Sequence, residues 1–490
     1  MANNPQDHLF PLPRLPVSSK PLEGLGGLKA AMVLGMAGAG AAALFICAHW
    51  SIALVGGAVV LGLSAVENEP FLLFIVFLIP LSWVLSVGGH LHDVPTTVRN
   101  VAIVGFFLGR LWRGRLGGRR LLGSSLARAS LLLLAAIVVS IIFVRGGWTP
   151  DSWSNLRAMG SYLGFFFLVS AWADSPLRVR KILSVVLYST IITAVFAMLQ
   201  EVIGGRTSFW LYLHPPDENF VEWQGRASSF MAHPNFLAGY LNLILPFALA
   251  CYVLGRGKWK RLGGWTFGLA FLALLSAQSV GGLAAFVSIV VLAIFCFIPR
   301  GKKRLVLLAG LCTLVCTFYL LRSMLNPVHS AQTVGPDLLI RLLLWNTAWG
   351  YFIHAPVIGV GWGNFFDLYG SDLSSFSSLV PPGVFAVHNI YLQFLAETGI
   401  VGFLAFFYLI LQSWRQAWSQ WHSSVDPLDR ALAFGVLGAL ISVLTHGFVD
   451  FFFQDSPQFG TLFWLLLALL VASGRLQSSC RGQGVSASVR

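Results

Sequence analysis

The chain has 490 residues, of which 56% are hydrophobic and only 10% are charged. A soluble globular domain carries about 25% charged residues, so this composition excludes an ordinary soluble protein. The net charge of +13 is compatible with nucleic-acid binding, but the positions of the basic residues give it another meaning, which follows from the predicted topology.

Apolar runs long enough to cross a membrane recur from about residue 29 to residue 473. A hydrocarbon core needs ~20 apolar residues, and these runs do not alternate as transmembrane β-strands do. The sequence therefore predicts an all-α polytopic membrane protein with about fourteen (twelve to fourteen) transmembrane helices. The predicted spans are 29–49, 50–66, 70–89, 96–111, 129–145, 158–173, 182–203, 233–254, 264–278, 281–298, 305–321, 388–411, 430–451 and 457–473.

These spans divide the chain into four parts. Residues 1–28 are rich in proline and lack an apolar stretch, which predicts a loose cytoplasmic tail and not a signal peptide. Residues 29–203 are predicted to form an N-terminal transmembrane bundle, and 474–490 a second cytoplasmic tail. Between them, residues 204–473 form a second transmembrane region, with a long external loop at 322–387 before the third-last helix.

Basic residues determine the predicted orientation. With the N-terminus in the cytoplasm, 25 of the 32 Lys and Arg residues fall in cytoplasmic segments, and the remaining seven are all arginine. Short loops rich in Lys and Arg stay inside the cell. We therefore predict that both termini are cytoplasmic, and that the positive charge reflects topology and not a nucleic-acid partner.

The first polar motif is GRASSFMAHPNFLAGYL, which begins at residue 225. Pro234 suits the first turn of a helix, where its missing N–H costs nothing. Asn235, Gly239 and Asn242 then share one face of the following span. A helix cap and a packing glycine explain these residues, but they give no reason for Arg226 on the external side.

The second motif lies in the long external loop. DLLIRLLLWNTAWGYFIHA (337–355) predicts a helix at the membrane surface, with Asp337 as its N-cap and Arg341 among its leucines. GVGWGN (359–364) lacks the Gly-Lys-Ser/Thr of a phosphate loop, so it predicts a tight turn that lets the backbone approach another segment closely. Arg341 is explained equally well as an interfacial side chain that reaches toward water.

The third motif is HNIYLQFLAETG, which begins at His388. Asn389, Gln393 and Glu397 are spaced four residues apart and form one stripe on a helix. Polar groups at membrane depth line a cavity or bond to other helices; for Gln393 and Glu397 both interpretations remain open, whereas His388 and Asn389 favour function.

A further pair, His446 and Asp450, has the spacing of neighbours on one helix face, which favours a structural pair over a proton shuttle. No spacing of His, Cys, Asp or Glu is typical of a metal site, so we predict no metal and no cofactor.

These three motifs in this order, with the long external loop before the last of them, resemble the O-antigen ligase and Wzy-type polymerase superfamily over about residues 200–470. The resemblance implies a membrane glycosyltransferase of the GT-C type in the bacterial inner membrane, with a periplasmic active site. Such enzymes move a glycan from an undecaprenyl-diphosphate carrier to a hydroxyl of a lipid or sugar acceptor, and the ligases use no metal ion.

The residues suit that chemistry. Guanidinium groups bind phosphate oxygens in a bidentate way, and a histidine accepts a proton near neutral pH, with Asn389 or Glu397 to orient it. The predicted catalytic residues are His388, Arg226 and Arg341. The predicted substrate-binding residues are Asn235, Asn389, Glu397 and Arg322.

One position departs from the family pattern. Its members commonly carry Ser-Arg-Gly at the turn between the predicted ninth and tenth spans, whereas this chain has AQSVGG (277–282), with Val280 at the position of the arginine. This difference implies either that another cation, such as Arg322 or Arg206, replaces the missing guanidinium group, or that the chain does not catalyse transfer.

Three functions remain open. A ligase would attach a finished glycan to a lipid or protein acceptor, and a polymerase would extend a polysaccharide from the same carrier. A non-catalytic anion transporter, such as the relatives labelled bicarbonate transporters, would also use external arginines. His388 and Asn389 favour an enzyme, because a path for a small anion has no evident need of a base there.

Overall fold

The computed structural model describes residues 50–81, 94–115, 122–143, 149–202, 226–308, 310, 327–372, 387–454 and 456–488. Within these ranges the regular structure is helical and contains no β-strand. The principal helices are α1 (Trp50–Ala65), α2 (Glu69–Phe77), α3 (Val94–Trp112), α4 (Ser125–Ile142), α5 (Pro150–Trp172), α6 (Pro176–Val202), α7 (Pro234–Leu254), α8 (Lys258–Ser276), α9 (Val280–Phe297), α10 (Pro327–His354), α11 (Phe365–Asp372), α12 (Ile390–Ser423), α13 (Pro427–His446) and α14 (Pro457–Ser488).

Seven of these helices are long and apolar enough to cross a membrane: α4, α6, α7, α9, α12, α13 and α14 up to Ser479. A bent pair, Gly56–Ala65 with Glu69–Phe77, turns by 117° and forms either a broken span or a re-entrant loop. The chain is therefore a multi-pass membrane protein, and the count of about fourteen spans stays a prediction. The predicted tail 1–28, the span 29–49 and most of 305–321 lie outside the described residues.

The core of the bundle forms where α13 crosses α7. Gly435 lies against the Phe247 side chain, because a Cβ there would stand 2.6 Å from the Phe247 Cβ. Gly438 meets the Pro246 ring in the same way. Small residues at such crossings allow two transmembrane helices to approach closely. In addition, the Asn242 amide donates to the Gly282 carbonyl at 2.8 Å, which ties α7 to the beginning of α9.

Helix α12 is broken at Gly399, whose φ of +60° is left-handed. The glycine loop 359–364 completes the hydrogen bonding at this break, since Val360 and Gly361 donate their N–H groups to the carbonyls of Ala396 and Glu397 at 2.9 Å. On the other side of the break, the amides of Ile400 and Val401 donate to the carbonyls of Pro356 and Val357. The predicted close approach of this glycine-rich turn is therefore confirmed, and its partner is the backbone of α12.

Two helices extend beyond the predicted segments. The helix that carries Arg341 begins at Pro327 and not at Asp337, so Asp337 lies inside it and is no N-cap. The third-last helix continues to Ser423, well beyond the predicted end at 411. Its extension is polar, so hydropathy alone placed the end where the apolar run stops.

At the end of the bundle where α13 begins, carboxylates pair with basic side chains. Glu67 accepts from Arg110 at 3.0 Å and from Arg113 at 2.9 Å, beside the break between α1 and α2. At the N-terminal end of α13, Asp426 pairs with Arg180 at 2.6 Å. We call this set of ion pairs the paired end. Further pairs there are Lys181 with Glu69, and Arg178 with Asp174 and Glu69.

Candidate active site

The centre of the candidate site is Asp450, in the segment between α13 and α14. Asp450 is 3% exposed, and one of its carboxylate oxygens accepts a hydrogen bond from the Asn235 side-chain amide at 2.9 Å. Its other oxygen lies 3.2 Å from Nδ1 of His388. Two segments that are 215 and 62 residues away along the chain thus meet at this one carboxylate.

Arg226 extends this line of contacts. The residue lies before α7, where His233 caps the helix by accepting from the Asn235 N–H at 3.0 Å. The Arg226 guanidinium donates to the Asn235 side-chain oxygen at 2.9 Å and to the Ala277 carbonyl at 3.1 Å. Asn235 therefore links the guanidinium group to Asp450 and, through it, to His388.

Arg341 reaches the same segment from α10. Its guanidinium donates to the carbonyl of Val449, the residue before Asp450. One turn further along α10, the Trp345 indole donates to the Val387 carbonyl at 3.1 Å, which fixes the helix beside His388. The structure thus brings together three predicted catalytic residues that are far apart in the sequence.

The backbone around His388 is strained. His388 has a φ of +52°, a backbone conformation that residues other than glycine rarely adopt. Such strain is common at functional sites. Asn389 follows as the N-cap of α12: its oxygen accepts from the amides of Tyr391 and Leu392, and its own amide donates to the Phe448 carbonyl at 3.2 Å. Asn389 therefore fixes the turn that presents His388, whose side chain is 31% exposed.

The charges of this cluster shift the pKa values of its members outside the membrane-spanning helices. Burial raises the pKa of Asp450, but the hydrogen bond from His388 and the electrostatic interactions with His388, His446 and His233 outweigh it and hold the pKa below its usual range. Burial lowers the pKa of His233 from 6.5 to about 4, helped by Arg226, His388 and Arg341 and opposed by Asp450. Asp450 therefore stays ionised and His233 stays neutral near pH 7.

Glu397 lies apart from this cluster. It is nine residues beyond His388, which is on the order of 13 Å along a helix. It is 1% exposed and accepts from the Phe365 amide at 3.1 Å and the Gln454 side chain at 2.6 Å. Gln393, in the same stripe, accepts from the Val387 amide at 3.0 Å and donates to Gln454. These contacts hold the protein together, as the structural interpretation of the stripe predicts.

Asp450 is the residue of the candidate site that the sequence did not predict. His446 and Asp450, the predicted structural pair, lie close enough for an electrostatic interaction but share no hydrogen bond, because α13 ends at His446 and the chain turns before Asp450. Asp450 instead contacts His388 and Asn235. Val280 is the first residue of α9 and is 47% exposed, whereas the predicted substrate-binding residue Arg322, like Arg206, lies outside the described residues.

Comparison with protein families gives one domain. The model of the O-antigen ligase family matches residues 265–407, from α8 to the middle of α12. This segment contains Arg341 and His388, whereas Arg226, Asn235 and Asp450 lie outside it. A comparison with curated proteins found no match.

The matched domain and the apolar helices together indicate a membrane enzyme of the ligase and polymerase family, with lipid-linked glycans as its general class of substrate. O-antigen ligases are proteins of the bacterial inner membrane. The resemblance to O-antigen ligases that the three motifs predict is thereby confirmed over residues 265–407 of this multi-pass membrane protein.

Proposed function

We propose that this protein is a GT-C-type glycosyltransferase that moves a glycan from an undecaprenyl-diphosphate carrier to an acceptor hydroxyl on the periplasmic face of the inner membrane. The observation that carries the proposal is the line of contacts from His388 through Asp450 and Asn235 to Arg226, with Arg341 bound to the adjacent Val449. A base and two guanidinium groups in one place suit a reaction that removes a proton and releases a diphosphate.

His388 is the proposed general base. Asp450 accepts from Nδ1 of the imidazole, which leaves Nε2 as the nitrogen available to an incoming hydroxyl. The carboxylate also stabilises the imidazolium that forms when His388 takes the proton. Because the side chain is 31% exposed, an acceptor sugar has access to it. A positioned base of this kind contributes typically 10²–10⁴-fold to a reaction rate.

Arg226 and Arg341 are the proposed ligands of the diphosphate. As the acceptor oxygen loses its proton to His388 and bonds to the anomeric carbon, the bond from that carbon to the diphosphate oxygen breaks. The diphosphate leaves with the electron pair, and two guanidinium groups neutralise its negative charge. In this proposal the arginines supply the positive charge that a metal ion provides in other transferases, and a single displacement inverts the anomeric centre.

The test is a set of single substitutions in a strain that lacks its own copy of the gene. Arg226→Ala, Arg341→Ala and His388→Ala are expected to abolish the surface polysaccharide on a gel, while the inserted protein stays at its normal level. Arg157→Ala is the matched control, because Arg157 is an exposed arginine of α5. Normal polysaccharide in all three site variants would exclude the proposed transfer and leave the anion transporter as the better function.

The same gel separates the two transferases. A ligase that fails leaves a full-length polymer unattached on its lipid carrier, whereas a polymerase that fails shortens the polysaccharide chains. Both use the same donor and the same three residues, so the product and not the site distinguishes them.

A further inference from the structure

The first turn of α9 lies inside the candidate site and has unused hydrogen-bond donors. Ser279 caps the helix by accepting from the Gly282 amide at 3.2 Å. The N–H groups of Val280 and Gly281 have no acceptor among the described residues, as helix geometry requires for the first positions. This end of the 18-residue helix therefore carries a partial positive charge and two donors.

His446 points an unsatisfied polar edge at the same turn. It is 1% exposed, and neither ring nitrogen has a hydrogen-bond partner among the residues that the structure describes. Nε2 lies 2.8 Å from the position that a Cβ on Gly281 would take, so the imidazole is in contact with the turn. Burying a polar group without a partner is costly, so simple packing against Phe452 is a poor explanation for a histidine here.

Both guanidinium groups of the site bind segments that adjoin this turn. Arg226 donates to the Ala277 carbonyl at 3.1 Å, two residues before Ser279. Arg341 donates to the Val449 carbonyl, and the Val449 side chain lies 2.5 Å from the Cβ position on Gly281. Both cations are thus bound to backbone carbonyls of segments that adjoin the two helix amides.

We propose that the first turn of α9 and His446, close to Arg226 and Arg341, bind one phosphate of the lipid-linked diphosphate donor. A phosphate has several accepting oxygens, which match the N–H groups of Val280 and Gly281 and one N–H of a neutral imidazole. The two guanidinium groups would bind the second phosphate and the bridging oxygen. The inference rests on the proposed function for the identity of the donor, and it adds His446 as a residue that touches the donor.

The experiment measures binding to the purified full-length protein in nanodiscs of zwitterionic lipid. The probes are inorganic pyrophosphate and farnesyl diphosphate, and isothermal titration calorimetry measures their dissociation constants. His446→Phe is expected to weaken the binding of both probes at least tenfold, while the melting temperature is unchanged or higher, because a phenyl ring fills the same space without unsatisfied nitrogens. His446→Gln restores an N–H donor and is expected to stay within threefold of the wild type. His422→Phe is the control, since His422 is exposed on the far end of α12.

Wild-type affinity in His446→Phe would overturn the inference. A second measurement applies even if that variant does not fold: in the wild-type protein, pyrophosphate is expected to slow hydrogen exchange of the Val280 and Gly281 amides, and unchanged exchange would also overturn it. The same measurement in nanodiscs with phosphatidylglycerol identifies the source of the phosphate. If phosphatidylglycerol slows the exchange of these amides and pyrophosphate does not compete with it, the turn binds a lipid headgroup and the proposal is contradicted.

Failure of this site and failure of the proposed function give different results. If the protein transfers glycan and His446→Phe leaves the donor KM unchanged, the phosphate site is wrong and the transferase stands. If pyrophosphate binds in a His446-dependent way but no glycan is transferred, the site stands and the transferase is wrong.

Discussion

At the end of the bundle where α13 begins, carboxylates pair directly with basic side chains, whereas at the end where α13 finishes one buried carboxylate faces three imidazoles. The paired end contains the ion pairs of Glu67, Glu69, Asp174 and Asp426. At the other end, Asp450 is surrounded by His388, His446 and His233, with Arg226 and Arg341 close to His233. At the paired end each of these carboxylates has a basic partner, whereas at the other end the cationic or protonatable groups outnumber the single carboxylate.

This difference separates structure from function. The more exposed ion pairs of the paired end, such as Arg180 with Asp426, contribute about 0–1 kcal/mol and are tolerant of change. A buried cluster with excess positive charge is costly for a protein to maintain, and under the proposed function the anionic diphosphate offsets that cost. Substitutions at the two ends should therefore separate into those that change activity and those that change neither activity nor stability.

The largest effect is expected from Asp450→Asn. Asparagine keeps the shape of the side chain but removes the charge that orients and stabilises the His388 imidazole, so transfer from a lipid-linked donor in proteoliposomes should fall by ~10²–10⁴-fold. Asp426→Asn at the paired end is the matched control and should retain the wild-type rate within about twofold. Equal losses in both variants would remove the distinction between the two ends.

Gly359→Ala should be the most destabilising change in the glycine loop. Gly359 has a φ of +72°, and a Cβ there would collide with the Glu397 carbonyl group. Because both the backbone conformation and the space oppose alanine, we expect a loss of more than ~1 kcal/mol in the free energy of unfolding, measured as a lower melting temperature in detergent. Gly350→Ala in α10 has open space around it and should be neutral or stabilising.

The pH dependence of stability should reveal the buried imidazole of His233. Its pKa is about 4 in the folded protein against 6.5 in its ordinary environment, so the unfolded state binds more protons between these values. The contribution of His233 to stability is therefore complete above pH 6.5 and decreases as the pH falls toward 4. In His233→Asn, which keeps an N-cap acceptor, the melting temperature should fall less steeply over this range. An identical slope in both proteins would contradict the assignment.

The smallest effect is expected from Arg180→Ala at the paired end. The side chains of Arg180 and Asp426 are 48% and 36% exposed, so solvent and salt screen the pair. We expect a change below ~1 kcal/mol in the free energy of unfolding and an unchanged rate of transfer. A large loss of activity would show that the paired end has a functional role that its ion pairs conceal.

Much of the helical architecture was predictable, because hydropathy and proline positions determine where membrane helices begin. Helix α14 begins at Pro457, as predicted, and α7 begins at Pro234, one residue after the predicted start. The polar motifs also identified residues that the structure brings together, namely Arg226, Arg341 and His388. Their meeting depends on the segments between the helices, which are long and carry no periodic signal.

The spacing of residues alone could not assign Asp450 to the candidate site. Asp450 lies four positions after His446, which is the spacing of helix neighbours, but the rule holds only while the helix continues. Here the chain leaves the helix at Gly447, and the Asp450 side chain turns toward His388. The start of α10 was also mistaken, because Asp337 has the chemistry of an N-cap while the preceding residues have no strong helical pattern.

The break in α12 at Gly399 has a consequence for how this region tolerates change. Main-chain bonds hold residues 356–361 to residues 396–401, so the separation between the helix of Arg341 and the helix that follows His388 is set by peptide geometry. Exchange of a side chain such as Val360 should leave that separation intact. Deletion or insertion of a single residue there would shift the register of the amides and leave polar backbone exposed at membrane depth. Length, more than side-chain identity, is the property that this loop must keep.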